Sequence, residues 1–483
     1  MANIASNGDV LAVKRPEQPT LDGQQTDAAL QDDEAYPDAL GQFPYLDGYT
    51  QACIGFEVAP ETSRAAIETT VRDAVAKLTT LIPWLGHQVA PVPGRNGGPE
   101  TLTTVPWPAG SSHLDVQVKV KTCDDLIAPM PELLRADAPI RMLAGEVLGP
   151  WPALPHPHGL TGPVPVTAVQ INFVRGGVLL TLLVHHIIID GTGFVQIARM
   201  LATLINGGEV AAEDIAQANR DRARVVPLIP RGEPLKDFSH LRRPPGWAPP
   251  IPASPPKWCY FKLPMASLAA LTRTATSDSP IKLSQDDIIC AFYWQRISAA
   301  RLARGAAPDT LSKFGRAVDG RGALGVPFTY LGHMVYHAAV WQPLEQVVGQ
   351  PLSAVAQALR HELTAANTAW AVRSFATFMT REPDKSVLLY GGRHNPNTDL
   401  GASSAIVAAA DAKETASAVP SWWGPLLGRT KFIRRPRVMP VPGALIIHPV
   451  ENGAVPLLVG LPEEDLEALK QDRVWRQYSR YVG

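Results

Sequence analysis

At 483 residues, with 46% hydrophobic residues and a formal net charge of -1, the chain has the size of about two globular domains. It lacks the global field that would recruit nucleic acid or an acidic membrane. Its four cysteines, Cys53, Cys123, Cys259 and Cys290, lie far apart with no C-x-x-C pair, which argues against a zinc site and a disulfide framework.

The amino terminus carries neither a basic nor an apolar leader region, and no later apolar run reaches the ~20 residues of a bilayer span. The expectation is a soluble, cytoplasmic protein. Residues 1–38 are polar, rich in Gln, Asp and Asn, and without sustained periodicity, as suits a mobile, extended arm. A strand is expected at 54–58. Pro60 to Ser63 then supply the start signal of a helix carrying Ile67, Val71, Val75, Leu78 and Ile82 on one face, ended by Pro83. The segment 89–107 is rich in Pro and Gly, and 114–120 alternates like an edge or half-buried strand. Two strand-like runs, 164–173 and 178–184, flank Val174-Arg175-Gly176-Gly177, whose paired glycines suit a hairpin turn.

The second of these runs leads into the stretch that organises the chain, residues 179–194, L-L-T-L-L-V-H-H-I-I-I-D-G-T-G-F. Its first part is apolar enough to be a strand buried on both faces. After Asp190 and Gly191 the apolar residues recur at helical spacing, with Phe194, Ile197, Met200, Leu201 and Leu204 on one face and Gly207-Gly208 as the stop. His185 and His186 therefore sit at the mouth of a core strand, where the chain turns into a helix. Imidazole titrates near pH 6.5, so a histidine there can accept a proton at neutral pH. H-x-x-x-D spacing alone is weak evidence. The doubled His, the following Gly and the strand-to-helix junction are what single it out.

Prolines crowd 225–257, including Pro244-Pro245, Pro249-Pro250 and Pro255-Pro256, which excludes a regular element and suggests a crossover between two domains. Ser284-Gln285-Asp286-Asp287 has the form of a capping box ahead of a helix running to Arg304. A strand at 314–318 runs into Asp319-Gly320-Arg321, and Tyr330-Leu331-Gly332-His333 follows. Short strands are expected at 445–447 and 457–459, and a last helix at 462–470, opened by Glu463, Glu464 and Asp465 at its favourable end. Strands and helices interleave throughout, so the fold class is mixed α/β.

Competing motifs fail. Gly191-Thr192-Gly193 has Gln196 where a dinucleotide fingerprint needs its third glycine, and no phosphate-cradling G-x-x-x-x-G-K-[ST] is present. His361-Glu362 lacks the second histidine of a zinc protease, and Ser403-Ser404 lacks the hydrolase elbow. His156 and His158, in a Pro-rich run, read as loop residues, so no metal is expected.

His185-His186-Ile187-Ile188-Ile189-Asp190-Gly191 resembles the H-H-x-x-x-D-G signature of the BAHD superfamily of acyl-CoA-dependent acyltransferases, in particular its fungal, trichothecene acetyltransferase-like branch. Further stretches resemble that branch in order: Pro83-Trp84-Leu85-Gly86, Gln170-Ile171-Asn172-Phe173, Leu283 to Asp287 with Trp294, Val318-Asp319-Gly320-Arg321, Tyr330-Leu331-Gly332, and Trp423 to Gly428. The similarity covers roughly residues 39–475. It implies two chloramphenicol-acetyltransferase-like domains with an active-site channel between them. The boundaries expected are an arm at 1–38, a first domain at 39–212, a Pro-rich crossover at 213–258 and a second domain at 259–483.

The resemblance also implies roles. His186 is the expected general base, with Asp190 its loop-orienting companion and Arg321 the ionic partner of Asp190. His185 is expected behind the site, and Gly191 where the backbone turns closely. Acyl-CoA, acetyl-CoA above all, is the implied cosubstrate with no bound cofactor, and a small-molecule hydroxyl or amine the acceptor. Relatives imply a monomer.

The pattern departs from the family at three places: Ser421-Trp422-Trp423-Gly424-Pro425 stands where D-F-G-W-G is usual, His333 replaces the Asn of Y-x-G-N, and Ser403-Ser404-Ala405 replaces S-S-W. Candidates for acyl-CoA or channel contacts are Ser284, Trp423, Gly424, Arg429, Lys431 and Arg434; the last three belong to the basic run Arg429, Lys431, Arg434, Arg435 and Arg437, some of which is expected to meet coenzyme A phosphates. The departures support an alternative: the same fold used by a cyclase or ligand-binding protein that transfers nothing.

Overall fold

In the computed structural model, the apolar hairpin around Gly176 lies in the middle of a sheet. The structure describes residues 36–93, 100–111, 113–155, 160, 162–277, 279–404 and 419–483. The first half supplies strands β1 (Tyr49–Glu57), β2 (Gln88–Val92), β3 (Thr101–Val105), β4 (Val118–Thr122), β5 (Val164–Pro165), β6 (Thr167–Val174) and β7 (Gly177–His185). The second half supplies β8 (Pro256–Pro264), β9 (Leu311–Asp319), β10 (Val335–Pro343), β11 (Leu400–Ser404), β12 (Thr430–Arg434), β13 (Ala444–Ile447), β14 (Ala454–Pro462) and β15 (Arg480–Tyr481). They form a five-stranded sheet in the order β12-β1-β7-β6-β4, a seven-stranded sheet in the order β10-β9-β11-β13-β14-β8-β15, and a small sheet β3-β2-β5.

β7 is apolar along its length because both faces and both edges are covered. Every residue of β6 and β7 is buried. Gly176 turns the hairpin at φ 77°, which a side chain resists. β7 pairs antiparallel with β6 on one side and with β1 on the other, where Tyr49 faces His185. The helices Arg64–Leu81 and Gly191–Ile205 pack together. Ser63 caps the first and Asp190 the second.

β12 comes from late in the chain yet pairs with β1, so the five-stranded sheet is completed by a segment that follows most of the seven-stranded one. The largest apolar core likewise mixes Leu180, Leu201 and Ile188 with Leu331, Tyr336, Phe375 and Trp423. A second core, around Trp294, Phe314 and Trp475, fills the space between the seven-stranded sheet and its helices.

Several local expectations need correction. Residues 114–117 lie in a helix, His113–Gln117, because Gln117 turns inward to bond Leu85 and Thr167. The strand begins only at Val118. The Pro/Gly-rich 89–107 contains β2 and β3. Asp38 is no part of a loose arm: it is buried and paired with Arg222 at 2.8 Å. The segment 213–258 includes most of the helix Ala212–Ala218 and the start of β8. The helices Leu352–Ala366 and Ala369–Arg381 were missed in the sequence. The arm 1–35, His156, His158 and Ala405 lie outside the described residues. Among the described residues no helix is long and apolar enough to cross a membrane.

Candidate active site

His186 is the first residue beyond β7, and its backbone N–H donates to the Gly48 carbonyl at 2.9 Å. Its ring Nδ1 lies 3.1 Å from the Ile189 carbonyl. A carbonyl only accepts, so the contact assigns the proton to Nδ1 and leaves the Nε2 lone pair free. The ring is half-buried. Burial, then the neighbouring His333, push its pKa down to about 3, and the Ile189 carbonyl and Asp190 only partly oppose this. The ring is therefore neutral at pH 7, with an open acceptor nitrogen.

Asp190 is fully buried and its carboxylate is saturated. Oδ1 accepts from the Gly193 N–H at 2.9 Å and from Arg321 at 3.0 Å; Oδ2 accepts from Arg321 at 2.8 Å and from the Met334 N–H at 2.8 Å. Burial would raise its pKa, but Arg321 overrides this and holds it below the ordinary carboxylate range. None of these bonds goes to the His186 ring. Asp190 caps the helix Gly191–Ile205 and ties down the loop.

Arg321 is equally enclosed. Besides Asp190 it donates to Asp319 at 3.0 Å, to the Tyr330 carbonyl at 3.1 Å and to the Gly332 carbonyl at 2.7 Å. It ties the loop after β7 to the segment between β9 and β10.

A close backbone approach falls at Gly193, two residues beyond the Gly191 at which the chain was expected to turn closely. A Cβ on Gly191 would meet open space, whereas one on Gly193 would stand 2.2 Å from the Leu331 carbonyl oxygen. His185 lies buried behind the site, edge-on to Tyr49, with Nε2 3.4 Å from an Asp47 oxygen.

His333 is brought into the site. Its Nδ1 lies 2.8 Å from the His186 carbonyl oxygen and its ring 5.5 Å from the His186 ring. Its Nε2 lies 3.2 Å from the Val335 carbonyl oxygen, so both ring nitrogens face acceptors, and burial lowers its pKa. The position expected to carry an amide donor carries an imidazole donor.

The late candidates are not gathered at His186. Ser284 caps the helix Gln285–Ala303, exchanging bonds with Asp287 and accepting from Arg360 at 2.8 Å. Trp423 is buried in the core, edge-on to Phe56, with its indole N–H on the Pro420 carbonyl. Gly424, at φ 84°, packs over Ile205 and Asn206 at the end of the helix that begins in the motif. Arg434 is enclosed and committed to Glu451 at 2.6 Å. Arg429 is exposed, and Lys431 pairs with Glu57 at 3.0 Å.

Aromatic residues that the sequence did not mark stand beside the histidines. Tyr390 packs edge-on to His337 at 4.2 Å and stacks on Tyr45 at 5.7 Å. His337, Phe43, Phe238, Tyr336 and Phe375 line a cavity. Burial pushes the His337 pKa down to about 3, with Lys313, His333 and His186 adding to the effect. Tyr45 keeps 40% of its surface accessible, and the protein packed around its hydroxyl raises its pKa. Single aromatics spread over several hundred residues leave no motif. Among the described residues no cluster of His, Cys, Asp and Glu suits a metal.

The arrangement is an unblocked imidazole on a buried, braced strand-to-helix loop, with a ring nitrogen open to take a proton. Residues 154–474 match the Transferase family and residues 48–204 the trichothecene 3-O-acetyltransferase-like N-terminal domain, so the chain belongs to the Transferase (BAHD) family and is an acyltransferase. Within that family its likeness is fungal. It is 42% identical to O-acetyltransferase SAT5 of Stachybotrys chartarum, covering 93% of this chain and 96% of that one, and 36% identical to O-acyltransferase pigD of Monascus ruber, covering 94% and 100%. The crystal structure of TRI101 from F. sporotrichioides complexed with coenzyme A and T-2 superposes with a TM-score of 0.82 at 28% identity, over 92% of this chain and 99% of that one.

Proposed function

We propose that the protein moves an acyl group, acetyl being the simplest, from acyl-CoA to a hydroxyl or amine of a small apolar metabolite, with His186 as general base. The observation that carries this reading is the free Nε2 of a neutral, half-buried ring whose Nδ1 is occupied by the Ile189 carbonyl. The acceptor's proton passes to Nε2 as its oxygen or nitrogen attacks the thioester carbonyl. The tetrahedral oxyanion collapses, the carbon–sulfur bond breaks, and the imidazolium returns the proton to the departing sulfur. A general base is worth ~10² to 10⁴ in rate, and holding both substrates in one channel supplies the rest.

Asp190, Arg321 and His333 hold the loop that carries the base, through the carboxylate and carbonyl bonds described above. Coenzyme A in the TRI101 complex and the O-acetyltransferase relatives support acetyl-CoA as donor. They favour transfer over the cyclase or ligand-holding alternative. We also propose two domains, 39–212 and 259–483, and a monomer.

Incubation with acetyl-CoA and candidate alcohols is expected to release free thiol. His186→Ala should lower that release by ~10² to 10⁴ while leaving the urea midpoint unchanged. Equal turnover in the variant would overturn the assignment.

A further inference from the structure

Arg434 ends the edge strand β12 and Arg435 follows it, and the two side chains find different partners. Arg434 turns into protein and meets Glu451 and Asp137. Arg435 is different. Its guanidinium donates to the Leu154 carbonyl, lies 5.9 Å over the Trp258 ring, and bonds to no carboxylate of the described residues. Its Nε–H is buried without a hydrogen-bond partner. The groups close enough to act on its charge are the hydroxyls of Tyr45 and Tyr260, and its own charge bears on His186 and His448. A guanidinium cannot shed its proton, so an enclosed one without an anion is uncompensated. Leu154, which Arg435 meets, donates its N–H to the Tyr49 carbonyl, and Tyr49 pairs with His185, so the unmatched charge stands near the end of β7 that leads into His186.

We propose that Arg435 is an anion-recognition residue of the acceptor site, taking through its fork of N–H donors a carboxylate or ionised enol carried by a flat, conjugated acceptor. The assignment to the acceptor rests on the acyl-transfer reading above. Two features favour the acceptor over the phosphates of coenzyme A. Rings form a wall on the side of Tyr45, whose hydroxyl acts on the Arg435 charge: Tyr45 lies nearly parallel to Tyr390, which in turn meets His337 and Phe43. Such walls suit a planar π-system. Arg435 is also a lone charge, because its neighbour Arg434 is spent on Glu451, whereas a pyrophosphate draws several cations. One bidentate guanidinium matches one carboxylate.

Calorimetry with two isosteric probes, 2-naphthoate and 2-naphthamide, tests this. The wild-type protein is expected to bind the anion at least tenfold more tightly than the amide. Arg435→Gln should reduce that preference below twofold, and Arg435→Lys, which keeps the charge and loses the fork, should keep part of it. The ratio of coenzyme A to pantetheine affinities should be unchanged in Arg435→Gln. Equal binding of the two naphthyl probes by the wild type would overturn the proposal. So would a collapse of the coenzyme A to pantetheine ratio in the variant, which would assign Arg435 to phosphate. Should Arg435→Gln not fold, a reduced preference in a folded Arg435→Lys would support the fork, and an undiminished preference would overturn it. These readouts need no turnover, so failure of acyl transfer in the thiol assay and failure of anion recognition are separable.

Discussion

Arg321 and Arg435 are both held by protein close to the loop that carries His186, and they are held in opposite ways. The first donates to Asp190, Asp319 and two carbonyls, and the carboxylate it meets is itself filled by backbone N–H groups. The second meets one carbonyl and keeps a buried N–H without an acceptor. Removing a partner from a saturated buried ion pair leaves the other charge stranded, so such pairs hold the fold. An unsaturated charge adds little to the fold and is left for something that arrives. The difference separates the part of the site that is built from the part that recognises.

The largest expected effect breaks the built part. Arg321→Gln strands the Asp190 carboxylate and is expected to lower stability by about 3–5 kcal/mol, read as a shift in the urea midpoint. Arg435→Gln, losing one hydrogen bond and an uncompensated charge, should stay within about 1 kcal/mol of wild type. Equal losses in the two variants would erase the contrast and with it the reason to look for a ligand at Arg435.

The next effect sharpens the contrast through protonation. As the proposed base, His186 would act only when neutral, and burial lowers its pKa to about 3, so the neutral form persists as pH falls below 6.5. The acid limb of kcat/KM, which reports the free enzyme, is therefore expected more than one unit below pH 6.5, with level activity from 6.5 to 8 where this group is concerned. A limb centred at 6.5 or above would mean that water reaches the ring freely, and that the loop braced by Arg321 does not enclose it.

How far the sequence carried differs between the same two parts. The hairpin, the strand ending in His185, the Asp190 cap and the partnership of Asp190 with Arg321 all leave local signatures: apolar runs, paired glycines, and acid–Gly spacing read against a family pattern. Gly193 was not marked, because it lies beyond the motif and only the approach of the Leu331 carbonyl singles it out. The recognition wall was illegible. Tyr45, His337, Tyr390 and Arg435 meet only because β12 returns to pair with β1 and the loop before β11 folds over β10, and no spacing in the chain encodes either event. Trp423 failed in the other direction: its place in the motif suggested a channel, and its indole proved to fill core.

The smallest effect tests the boundary between the two parts at Ser284. Its hydroxyl accepts from the Asp287 N–H at 3.2 Å while the Asp287 carboxylate accepts from the Ser284 N–H at 2.7 Å, and Arg360 and Arg316 hold that same carboxylate. Every polar atom is therefore turned toward the helix start, as it is at Asp190, and Ser284 belongs with Arg321 rather than with Arg435. Ser284→Ala should cost about 1 kcal/mol of stability and leave the KM for acetyl-CoA unchanged. A raised KM with the urea midpoint intact would move Ser284 to the recognising side, and saturation of hydrogen bonds would no longer serve to tell the two apart.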